Sequence, residues 1–79
     1  MGRPADLTAV ALEGYQAPRG TPCPYLPTSD SAAAWNVGRW LEATGRPQPR
    51  EVRRSRGYTM WANDMLLNVT NEQQIERLQ

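Results

Sequence analysis

The stretch PRGTPCPYLP, residues 18–27, places four prolines in ten positions, with the chain's single cysteine, Cys23, between two of them. Each proline fixes its own φ, removes a backbone donor and pushes the preceding residue out of the α region. Such a segment can be neither helix nor central strand. In a chain of 79 residues, close to the lower limit for a single apolar core, so long a stretch must have a use. The expectation is a stiff connector over 18–30, joining two short helices that propensity alone would not hold together. Fixing its conformation in advance cuts the entropy lost on folding.

Before the connector, Asp6 is a good N-cap for LTAVALEGYQA, with Leu7, Val10, Ala11 and Tyr15 near one helical face. Gly14 weakens this helix late and Pro18 ends it. After the connector, Ser29 or Asp30 caps SAAAWNVGRWLEATG, which Gly45 closes with Pro47 beyond. Ala32, Trp35 and Arg39 lie near one face of it, and Val37, Trp40 and Leu41 near another, so this helix packs on two neighbours. GYTMWANDMLLNV has helical spacing at Tyr58, Trp61, Met65 and Leu66. The preferred reading is instead a hairpin turning at Asn63-Asp64, residue types that tolerate positive φ. Its cross-strand pairs are Ala62–Met65, Trp61–Leu66, Met60–Leu67, Thr59–Asn68 and Tyr58–Val69, giving one wholly apolar side and one mixed side. REVRR, 50–54, offers a third strand, and Thr70 or Asn71 caps a terminal helix NEQQIERL that packs through Ile75 and Leu78. The expected fold is one α+β domain over 1–79: two short helices joined by a Pro-rich connector, a small antiparallel hairpin or sheet, and a short C-terminal helix.

There is no phenylalanine, so Tyr15, Tyr25, Trp35, Trp40, Tyr58 and Trp61 are expected to dominate the core. One cysteine and no histidine rule out an intramolecular disulfide, a Cys/His zinc site and any imidazole-based nucleophile. Cys23 reads as buried or inert rather than reactive. The carboxylate pairs Asp30/Glu42 and Glu72/Glu76 are not placed across a cleft, and no glycine-rich phosphate loop follows a strand. A chain this small rarely encloses a substrate pocket. The expectation is no enzyme, with no cofactor, metal or small-molecule substrate. No apolar run approaches the roughly 20 residues of a membrane span and no signal-peptide pattern opens the chain, which suggests a cytoplasmic protein with no membrane partner.

Net charge is only +1, but it is unevenly spread. RPQPREVRRSR, 46–56, carries Arg46, Arg50, Arg53, Arg54 and Arg56 against Glu51 alone. The segments on either side are slightly acidic. All nine basic residues are arginine, which suits planar recognition of phosphate or carboxylate.

The order GYQA (Gly14, Tyr15, Ala17), then CPY (Cys23, Pro24, Tyr25), then W-x-x-G (Trp35, Gly38) with Trp40 close behind, resembles the ribosome modulation factor family over residues 7–45. The resemblance implies a helix pair and binding to ribosomal RNA that holds ribosomes inactive. This chain departs from the family in its slightly acidic matched half, its lack of lysine, a shorter loop before CPY, and residues 46–79, which have no counterpart. The matched residues read first as packing residues.

Two binding functions follow. In the first, the five arginines of 46–56 contact phosphate of ribosomal RNA while Trp61 or Tyr58 stacks on an unpaired base. In the second, the chain is a phage-encoded inhibitor of the anti-CRISPR kind, docking on a host protein–nucleic acid complex through Trp61 and Leu66. The bland alternative is that the arginines only solvate a loop and one strand face.

Overall fold

A computed structural model of the protein describes residues 7–54 and 59–68. In chain order these form α1 (Thr8–Gln16), α2 (Asp30–Ala43), β1 (Val52–Arg54), β2 (Thr59–Ala62) and β3 (Met65–Asn68), an α+β arrangement. Asp6, Arg56, Tyr58, the Tyr58–Val69 pair and the terminal helix expected over 71–78 lie outside the described residues.

The N-cap position of α1 falls on Leu7, with no side-chain cap. Its backbone is satisfied from across the fold. Leu7 N–H donates to the Val52 carbonyl at 3.2 Å, and Val52 N–H donates to Thr8 Oγ1 at 3.0 Å. The start of α1 thus closes the outer edge of β1. Helix α2 is capped as its sequence predicts. Extended Ser29 accepts the Ala32 N–H on its Oγ at 3.1 Å. At the other end Gly45, at φ +74°, donates to the Glu42 carbonyl while Arg46 N–H donates to that of Leu41. This is the paired C-terminal closure that needs a left-handed residue.

The two helices cross backbone on backbone. A Cβ on Gly14 would lie 2.1 Å from the Trp35 carbonyl oxygen, and one on Gly38 only 1.9 Å from that of Ala11. Gly14, which reads in sequence as a weak point of its helix, is one half of this crossing; Gly38 is the other. Ala11 and Ala34, both fully buried, keep the approach open.

The hairpin forms with the predicted register: Ala62–Met65, Trp61–Leu66, Met60–Leu67 and Thr59–Asn68 are partners. The turn is made possible by Asn63 at φ +54°. β1 adds antiparallel to β2, pairing Val52 with Ala62, Arg53 with Trp61 and Arg54 with Met60, so the sheet order is β1-β2-β3. Its inner face, with Val52, Met60, Ala62 and Leu67, joins Val37, Trp40 and Leu41 of α2 in one core.

Of the six aromatics expected to dominate the core, two, Trp35 and Trp40, are buried among the described residues, and aliphatic Leu41, Met60, Val37 and Val52 are buried completely beside them. Backbone-to-backbone helix contact leaves no room for rings at the crossing. Trp35 and Trp40 are buried, whereas Tyr15, Tyr25 and Trp61 are only partly covered. The two described tyrosines lie at the border, where a ring is covered and its hydroxyl still finds an acceptor.

Candidate functional site

The residues of the GYQA, CPY and W-x-x-G elements meet as a clasp rather than as an exposed site. Tyr15 donates its hydroxyl to the Arg46 carbonyl at 2.8 Å, tying α1 to the chain beyond α2. Arg39 of α2 donates to the carbonyls of Gly14 (3.2 Å) and Ala17 (2.9 Å), supplying the positive charge that the C-terminus of α1 lacks in its own last turn. Arg39 also pairs with Glu42, whose second oxygen takes Arg19 of the connector at 3.2 Å. The hydrogen bond from Arg19, with the charge of both arginines, holds the Glu42 carboxyl below its ordinary range.

On the far side of the clasp, Tyr25 donates to Glu13 Oε1 at 2.7 Å, and this bond raises the phenol above its ordinary value. Cys23 is half-buried, with its thiol 3.9 Å from the Tyr25 carbonyl. Pro22 and Pro24 of the connector, Trp35 of α2 and Ala9 and Leu12 of α1 line an open, mostly apolar groove of about 430 Å³. Gly38 and Trp40 are buried, Gly38 at the crossing and Trp40 in the core.

The described arginines of 46–56, Arg46, Arg50, Arg53 and Arg54, do not form one patch. Strand alternation sends Arg53 and Arg54 to opposite faces of the sheet. Arg54, on the helix side, pairs with Asp30 in the first turn of α2. Arg53, on the outer face, lies over the Trp61 ring at 5.3 Å and pairs with Glu51 at 3.5 Å. Leu66, 57% exposed, continues that outer row across β3. Trp61 is half-buried with its indole nitrogen shielded and unpartnered.

Arg46 and Arg50 are the two described residues of the group with no carboxylate at ion-pair distance among the described residues. Both line a cleft of about 210 Å³ between the 46–50 segment and the β2–β3 turn. Leu41, Pro47 and Met65 supply its apolar surface, and Asn63 and Asp64 its turn side. Arg46 is held over the Trp40 ring at 4.7 Å. Asn63 fixes the facing strand: its Oδ1 accepts the N–H of Arg50 at 2.6 Å and of Glu51 at 3.2 Å.

Sequence reasoning missed Arg39, Thr8 and Asn63's second task. For Arg39 and Thr8 the partners lie more than 20 residues away, so no local pattern marks them. The opposed directions of Arg53 and Arg54 were available once REVRR was read as a strand. Among the described residues no group of three His, Cys, Asp or Glu side chains is placed to hold a metal ion, and no helix is long and apolar enough to cross a membrane.

The fold and its surfaces define a small α+β domain with a basic cleft beside its hairpin turn. No family model, curated protein or solved structure matches the chain.

Proposed function

We propose that the protein is a non-catalytic binding domain that docks on a large nucleoprotein assembly and modulates it, with the ribosome, through its RNA, as the first target. The observation that carries this reading is the pair Arg46 and Arg50, sharing one cleft with no described carboxylate at ion-pair distance from either. Arg53, half-exposed on the outer sheet face, adds a third guanidinium nearby in sequence. Arginine forks of this kind suit phosphate geometry, and their attraction works locally because net charge is only +1. The resemblance of residues 7–45 to ribosome modulation factor supports the choice of ribosome. The clasp residues serve this function by holding the domain together.

The test is co-sedimentation with ribosomal subunits at two salt concentrations, with a nuclease-treated arm. Association that falls steeply with salt and disappears with nuclease is expected. Association that survives nuclease refutes the RNA reading.

A second reading is an inhibitor of a host defence complex acting through protein contact, as a phage-encoded anti-CRISPR protein would. It is favoured by the exposed Leu66 beside Trp61 on the outer face. Under it, Trp61→Ala weakens complex formation by about 2 kcal/mol or more, the hot-spot scale, with little dependence on salt.

A further inference from the structure

We infer that the cleft between residues 46–50 and the β2–β3 turn binds one phosphodiester of an unpaired nucleic-acid strand, with Arg46 and Arg50 as its two cationic contacts. The inference rests on the proposed nucleic-acid function and names its site. That site lies outside the segment that resembles ribosome modulation factor.

Three features of the cleft select this ligand. Its volume of about 210 Å³ is below the roughly 300–1,000 Å³ of pockets that enclose a free small molecule. It is therefore too small to enclose a drug-sized molecule but has room for one phosphate group of a longer chain. Its accessible apolar surface, from Pro47 and Met65, gives the nucleoside a dry side to rest on, and its two arginines suit the anion attached to it. One of the two guanidiniums also starts from a restrained position. The Arg46 guanidinium rests on Trp40, and its backbone is held by Tyr15 Oη and by the Leu41 carbonyl at 2.8 Å. The Arg50 backbone is held by Asn63. Groups already positioned lose less freedom on binding. Asp64 shares the rim without pairing to either arginine, and its charge leaves the cleft with a surplus of one positive charge among its described residues, matched to a singly charged phosphodiester.

Because the clasp holds Arg46 and Arg50 through backbone atoms, Arg46→Gln with Arg50→Gln removes charge and leaves those bonds in place. The probe is a labelled oligouridylate, with its DNA counterpart as a second arm, titrated by fluorescence anisotropy over a series of salt concentrations. Each phosphate contact on a single strand contributes about 0.7 to the log–log salt slope. One phosphodiester held by both arginines counts as one contact, so the double variant is expected to lose roughly 0.7 of that slope while circular dichroism stays native. Should the double variant fail to fold, Arg50→Gln alone, whose side chain has no partner, is expected to lower the slope by a part of that roughly 0.7. Equal behaviour of RNA and DNA supports recognition of the phosphodiester itself, and binding of RNA alone supports it with ribose as an added contact. An unchanged slope in a folded variant overturns the inference. So does competition by oligoglutamate as effective as that by the oligonucleotide, which would assign the cleft to a protein carboxylate. If the oligonucleotide binds through these arginines but subunits do not co-sediment, the site stands and the ribosome falls. If subunits co-sediment equally well with the double variant, the function stands and the site falls.

Discussion

Replacing Gly38 with alanine tests the helix crossing on which everything else is mounted. The added methyl carbon would sit 1.9 Å from the Ala11 carbonyl oxygen and 2.7 Å from the Tyr15 nitrogen, both backbone atoms that cannot swing aside as a side chain would. Restoring ordinary contact requires the helices to separate by about 1.5 Å, and the gap must be shared by the packing on both sides. Overpacking of this kind costs about 1–3 kcal/mol, occasionally more. Against it stands the gain from replacing a helical glycine, about 0.5–1 kcal/mol. The net expectation is a loss of roughly 2 kcal/mol, because two backbone clashes place the steric cost at the top of its range. That is a large part of the stability of a domain this small. It lowers the melting temperature by about 8–16 °C on the scaling for domains of 60–100 residues. Urea unfolding followed by tryptophan fluorescence reads the change as a lower midpoint at unchanged m-value. A variant as stable as the parent, or more stable, would mean that the helices do not touch at this point.

Two further perturbations probe other joints of the fold. Asn63→Gly keeps the positive φ of the turn but removes the acceptor for the Arg50 and Glu51 amides, so a loss of about 1–2 kcal/mol is expected in the same unfolding assay. Asn63→Asp, which keeps an oxygen at that position, is expected to recover most of it. Glu42 has its folded-state pKa depressed below the ordinary 4.5 by Arg19 and Arg39. Its contribution is therefore complete above pH 4.5 and disappears as pH falls through the lower folded value. Unfolding midpoints of the parent and Glu42→Gln should differ at neutral pH and converge in acid; a constant difference would exclude the ion pair as its source.

The elements governed by local chemistry were legible in the sequence. Ser29 caps α2 because a short hydroxyl side chain can reach back to a free N–H, and Gly45 closes it because the backbone turns left-handed there. The Asn63-Asp64 turn and period-two alternation together fix the hairpin register, so the four described pairs could be named from sequence. The two apolar faces of α2 likewise announce two neighbours. The joints between distant segments were not legible. Nothing near Arg39 in sequence says that its guanidinium closes the end of α1, and nothing near Thr8 says that it accepts from Val52. The described arginines are close in sequence, yet alternation in β1 sends Arg53 and Arg54 to opposite sheet faces while Arg46 and Arg50 line a cleft, a division that sequence proximity does not convey.

The bond between Thr8 and Val52 spans 44 residues and has a consequence for how the chain can be divided. A sequence that reads as a helical half followed by a basic half invites cutting near residue 46. Yet the amino-terminal helix anchors to the first strand, and the second helix loses the cover over Val37 and Leu41 once the sheet is removed. Neither fragment carries a complete interior, so the described helices and strands depend on one another for cover.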